Sequence, residues 1–139
     1  DSVTMEMQYI DQFGNPQYYT IENKAAAASI STNRINTGKG PYNIDISADG
    51  KFLVATLKSD AKTLVWELDK KKPSIISNNS TVSHGVVISP DSKYAFVTVE
   101  GVGGDPGLVD VIDLEKAKVV SSVNIGKQAG GIAFWKIEE

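Results

Sequence analysis

His84 is the chain's one histidine and the first residue to weigh for chemistry. An imidazole can serve as a general base or bind a metal. A zinc site would need further His or Cys ligands, and the chain has no cysteine. That lack also removes disulfides and a cysteine nucleophile. His84 therefore reads as a polar residue near the mouth of a channel, with Tyr42 and Asn43 as companion ligand candidates. Glu100 and Asp105 are the loop candidates. Two carboxylates can hold calcium, but their spacing has no EF-hand pattern. The loop between them, Gly101–Gly107, lacks the spacing of a dinucleotide fingerprint and lies between strands, so it reads as a hairpin loop. Ser83 and Ser89 have no nucleophile-elbow context. No catalytic residue, metal or cofactor is assigned.

The bulk charge narrows the partners. Net charge is −3 and the pI is about 5.2, which argues against a nucleic-acid binder with its basic stripe. Lys70-Lys71-Lys72 precedes Pro73 and reads as a solvated turn. No apolar run approaches the roughly 20 residues that span a bilayer. Asp1 opens the chain without an initiator Met, which reads as a processed or excised N-terminus. Asn78-Asn79-Ser80-Thr81 holds two overlapping glycosylation sequons.

An internal repeat supplies the elements that position these residues. Asn43–Thr56 aligns without gaps on Gly85–Thr98, at an offset of 42, and Ser, Asp, Lys and Thr recur at identical places. Gly131-Ile132-Ala133-Phe134 starts a third copy, 46 residues after Gly85. Leu64–Leu68 matches Asp110–Leu114, also at 46, and the four extra residues fall in the Glu100–Gly107 loop. Gly38-Lys39 recurs as Gly126-Lys127. A period of 42 to 46 residues with four short strands per unit is that of a propeller blade.

The first full unit reads as strands over Tyr42–Ser47, Lys51–Leu57, Thr63–Leu68 and Ser74–Ser77. The second reads as Gly85–Ser89, Tyr94–Val99, Leu108–Leu114 and Lys118–Asn124. Ser-Ala-Asp-Gly and Ser-Pro-Asp-Ser supply the turn chemistry between first and second strands. The second strands are β-branched and apolar nearly throughout, so both faces are expected to be buried. Trp66 reads as core between blades, and Trp135 as core or rim.

The expected architecture is all-β, part of a propeller. Residues 1–37 form an irregular blade with an inserted hairpin, 38–81 and 82–127 two blades, and 128–139 the first strand of a closing blade. In the first segment, Val3, Met5, Met7 and Tyr9 alternate with polar residues as in a half-buried strand. Gly14-Asn15-Pro16 reads as a turn, Gln17–Ile21 as a hairpin strand, and Ile30–Thr37 as an outermost strand. Ala25–Ala28 has helical propensity but is too short to hold a helix alone. About three blades fall short of the 4 to 8 that close a ring. The chain is therefore expected to need the remaining blades of a longer protein, or association with its own copies. The longer protein is favoured, because the N-terminus begins inside a strand-like pattern.

Ile44–Ala55 and Val86–Val97 resemble the YVTN family of β-propeller repeats, and Val109–Leu114 with Val119–Gly126 resembles the second half of that repeat. The resemblance covers roughly residues 38 to 135. The pattern departs at Thr56-Leu57-Lys58, where the name-giving Val-Thr-Asn would sit, and Val97-Thr98-Val99 comes closer. The resemblance implies a bacterial or archaeal periplasmic, extracellular or cell-surface protein. Its related propellers include quinoprotein dehydrogenases and lactonases, and the family shares no catalytic residues to carry over. One histidine without a surrounding acidic cluster favours a binding or scaffold module, for a protein or small-molecule ligand, over an enzyme.

Overall fold

The computed structural model describes residues 3–10, 15–23 and 36–137, and the chain divides into two compact units, Asp1–Ile35 and Asn36–Glu139. In the first unit β1 (Val3–Ile10) and β2 (Pro16–Asn23) pair antiparallel, from Val3 opposite Asn23 to Ile10 opposite Pro16. Both strands were legible in the alternation and turn pattern. Gly14, Ala25–Ala28 and most of Ile30–Thr37 lie outside the described residues.

The second unit holds two four-stranded antiparallel sheets with consecutive strands adjacent. One runs β3 (Pro41–Ile46), β4 (Phe52–Leu57), β5 (Lys62–Glu67), β6 (Ser74–Ser77). The other runs β7 (Val82–Ile88), β8 (Tyr94–Glu100), β9 (Leu108–Asp113), β10 (Lys118–Asn124). All eight strands fall where the repeat places them. Ile46 and Ile88 end the equivalent strands β3 and β7.

The turns repeat atom for atom because the sequence repeats. The Ser47 hydroxyl donates to Asp49 Oδ1 at 2.6 Å and accepts from the Phe52 N–H at 2.9 Å. The Ser89 hydroxyl does the same with Asp91 (2.5 Å) and Tyr94 (3.0 Å). Each carboxylate also accepts a backbone N–H, from Lys51 or Lys93. These bonds hold Asp49 and Asp91 below the usual aspartate pKa, the serine hydroxyl contributing most. The turn's last position has φ of 72° at Gly50, and Ser92 takes it at 60°.

The two sheets pack face to face. Phe52, Val54, Val65 and Ile76 of the first meet Val86, Ile88, Ala95, Val97, Val99, Leu108, Ile112 and Leu114 of the second. Burying each of these larger side chains contributes about 1.5–3 kcal/mol. The buried pattern of β4 is that of a strand covered on both faces, whereas β8 departs from that expectation: Ala95, Val97 and Val99 are buried, but on its other face Tyr94 is exposed and Phe96 only half-buried. Trp66 departs from expectation. It is absent from this cluster and only half-buried, with its indole N–H donating to the Lys70 carbonyl at 2.9 Å. Its cross-strand partner is Leu53, on the opposite face of the sheet from Val54 and Val65. Trp135 is 87% exposed.

A polar seam also joins the sheets. Asp110 is fully buried and accepts from Asn78 Nδ2 at 3.0 Å, from the Asn79 N–H and Nδ2 at 2.9 Å each, and from the Ser122 hydroxyl. Asn78 Oδ1 in turn accepts from Thr63 at 2.9 Å and Ser83 at 2.7 Å. Both sequon asparagines are thus tied into the fold.

Residues 131–137 form no strand, contrary to the expected opening of another sheet. The reason is the nonlocal character of a strand, which exists only beside a partner. No described strand pairs with this segment.

Candidate functional site at the ends of the inner strands

β3 and β7 are the first strands of their sheets and pack against each other. Both carry a register shift near their start, between Pro41 and Ile44 and between Ser83 and Val86. A bulge leaves a backbone N–H without a ladder partner, and here a threonine of the second strand supplies one. The Asn43 N–H donates to Thr56 Oγ1 at 3.0 Å, and the Gly85 N–H to Thr98 Oγ1 at 2.7 Å. A hydroxyl that accepts can still donate. Thr56 donates onward to the His84 carbonyl at 2.7 Å, and Thr98 to the Gly130 carbonyl. Thr56 therefore ties its own bulge to β7, and Thr98 ties its bulge to the chain segment at Gly130.

This lacing sets the rings of Tyr42 and His84 side by side. Their centroids lie 4.6 Å apart with planes tilted by 59°. His84 Nε2 is 3.3 Å from Glu100 Oε1, both side chains being largely covered. Across the Tyr42 ring, Lys58 Nζ stands 4.5 Å from the centroid, a cation–π arrangement. Lys58, Tyr42, His84 and Glu100 thus form one row, cationic at one end and anionic at the other. His84 Nδ1 is buried with no hydrogen-bond partner among the described residues. Gly130 lies beside the ring, and a Cβ built on it would come 3.9 Å from His84 Cε1.

The candidates read from sequence are partly united by this geometry. His84, Tyr42 and Glu100 come together. Asn43 is next to them but its side chain turns back on its own strand, Oδ1 accepting from the Ile44 N–H at 2.8 Å. Asp105 is exposed in its loop, where its carbonyl packs over Gly101, at a place no side chain would leave free. Among the described residues no three His, Cys, Asp or Glu side chains converge on a metal-sized space. Lys58 was not singled out in the sequence. The signal was there: Lys58 and Glu100 stand 42 residues apart, as Tyr42 and His84 do, so the same two repeat positions furnish both pairs.

No family model matches the sequence, and no curated protein matches it. Solved structures do. The chain is similar to hydrazine synthase of Kuenenia stuttgartiensis at 27% identity and a TM-score of 0.55, over 62% of this chain and 25% of that one. A functionally unknown protein from Desulfotomaculum acetoxidans matches at 22% identity and TM-score 0.60, over 73% and 32% of the two chains. The Myceliophteria thermophila Cps50 (Swd1) β-propeller domain matches at 20% and 0.56, over 71% and 30%. The chain therefore spans between a quarter and a third of the length of these three structures. Its fold is that of part of a β-propeller. Among the described residues no helix is long and apolar enough to cross a membrane.

Proposed function

We propose that the chain is a run of YVTN-type propeller blades serving as a binding or scaffold module outside the cytoplasm, with its ligand seated over Lys58, Tyr42, His84 and Glu100. The observation that carries this reading is the row itself. Equivalent positions of successive blades present an aromatic face, an imidazole and opposite charges at one end of the inner strands. Rigid strands hold these groups, which suits recognition of a ligand with both an apolar and a charged part.

Selection from a displayed random-peptide library on the immobilised chain tests the reading. Binders should be recovered that lose most of their affinity for Tyr42→Ala and Glu100→Gln while both variants keep the parent's melting curve. Binders indifferent to both substitutions would refute it. The second reading, a fragment of a quinoprotein dehydrogenase-like or lactonase-like enzyme, draws on the same His84–Glu100 contact, since a carboxylate beside an imidazole orients a general base. Lactone hydrolysis or dye-linked alcohol oxidation that disappears in His84→Ala would establish it instead.

A further inference from the structure

The row at the inner strand ends is built from one pair of positions used twice. The first strand of each sheet gives a ring near its start, Tyr42 on β3 and His84 on β7. The end of each second strand gives a charge, Lys58 just past β4 and Glu100 closing β8. Both recur at an offset of 42 residues. The two blades thus fill the same scaffold positions with opposite charge. Gly130 takes the ring position in the next repeat, where its carbonyl accepts from Thr98 as the His84 carbonyl accepts from Thr56. A residue without a side chain adds no group to the row.

Each charge keeps unused capacity. Lys58 is half-buried, and among the described residues no carboxylate stands within ion-pair distance of it, whereas Lys51, Lys70, Lys93 and Lys116 each have one. The Tyr42 ring attracts the Lys58 ammonium but leaves its charge and its three donors uncompensated. Glu100 turns one oxygen to His84 Nε2 at 3.3 Å, and its other oxygen meets no donor among the described residues. Between them the Tyr42 side chain is 55% exposed, an open apolar surface.

The spacing limits what can meet both charges. Steps of 4.5, 4.6 and 3.3 Å along the row put its charged ends on the order of 10 Å apart, the reach of about three residues of extended chain. A free α-amino acid carries its two charges on either side of one carbon and is too short. A peptide in extended conformation has the length and can carry both signs.

We propose that the row reads an extended peptide segment, with an acidic side chain on Lys58, a basic side chain on Glu100 three residues away, and an apolar residue between them on Tyr42. The inference rests on the row being the ligand site and adds the sign and spacing of the ligand's charges. Lys58 and Glu100 are then the specificity-determining residues, since a like charge at either place is repelled.

Calorimetric titration of the 139-residue chain with four end-blocked peptides tests this: Asp-Leu-Leu-Lys, Lys-Leu-Leu-Asp, Asp-Leu-Leu-Asp and Lys-Leu-Leu-Lys. One of the two mixed peptides should bind at least about fivefold more tightly than either like-charged peptide. Lys58→Glu should move the preference to Lys-Leu-Leu-Lys, and Glu100→Lys should move it to Asp-Leu-Leu-Asp. Should a reversal lose its β-sheet circular dichroism, the neutral variants decide. Lys58→Gln should erase the preference over Lys-Leu-Leu-Lys, and Glu100→Gln that over Asp-Leu-Leu-Asp. Equal affinity for all four peptides, a preference that these variants leave unchanged, or no binding of any of the four would overturn the proposal. Library-selected binders that still depend on Tyr42 would then keep the row as a site for a ligand of other chemistry, and their absence would remove both readings.

Discussion

The Thr56 hydroxyl reaches from one blade to the next, donating to the His84 carbonyl at 2.7 Å while accepting from the Asn43 N–H at 3.0 Å. Thr56 is fully buried. Valine keeps its shape and removes both bonds, leaving a donor and an acceptor without partners. Thr56→Val should therefore destabilise the fold by about 1–3 kcal/mol. Urea unfolding at unchanged m-value measures this, and a cost below about 0.5 kcal/mol would show that the lacing is dispensable.

The same pair shows what sequence could and could not reveal. Thr56 and Thr98 stood out as a recurrence at 42 residues, and so did the serine and aspartate of the turns. Local hydrogen bonds made these positions alike, so they were legible as repetition. Strand placement was legible for the same reason. The row at the inner strand ends was only half legible, because its members hold different side chains at equivalent positions: Tyr42 against His84, Lys58 against Glu100. Similarity searches by residue type pass over such pairs. Residues 131–137 were misread as a strand because a first-strand sequence says nothing about whether its neighbour is present.

Acid should loosen the turns. Asp49 and Asp91 have pKa values lowered in the folded chain, chiefly by the Ser47 and Ser89 hydroxyls, and Asp113 by Lys116. A lowered folded value means that folding favours the ionised form. The contribution is fully present above the ordinary aspartate range and is lost as pH falls through the lowered folded values. Melting temperature should drop on going from pH 7 to pH 2, and the drop should be smaller in the Asp49→Asn, Asp91→Asn double variant. An identical drop in parent and variant would contradict the assignment.

Buried Asp110 stands where the first blade has Leu64. Asp110→Leu leaves the Asn78, Asn79 and Ser122 donors without their acceptor. The expected loss exceeds about 2 kcal/mol despite the added apolar volume. Chemical denaturation reads it, and a neutral result would mean that water satisfies the seam.

Ala61 adopts a φ of 51°, a left-handed conformation unfavourable for a residue with a Cβ. Ala61→Gly should stabilise the chain by up to about 1 kcal/mol. A loss of stability on thermal melting would show that the turn is held by something other than its backbone geometry.

The central claim is that equivalent positions of two adjacent blades converge at one strand end. Proton–proton nuclear Overhauser effects on the 139-residue chain test it most directly. The account predicts cross-peaks between the Tyr42 and His84 rings, whose centroids lie 4.6 Å apart, alongside the cross-strand contacts Val54–Val65 and Thr98–Val109. Intact cross-strand contacts with no signal between the two rings would contradict it, because the blades would then form without bringing the row together.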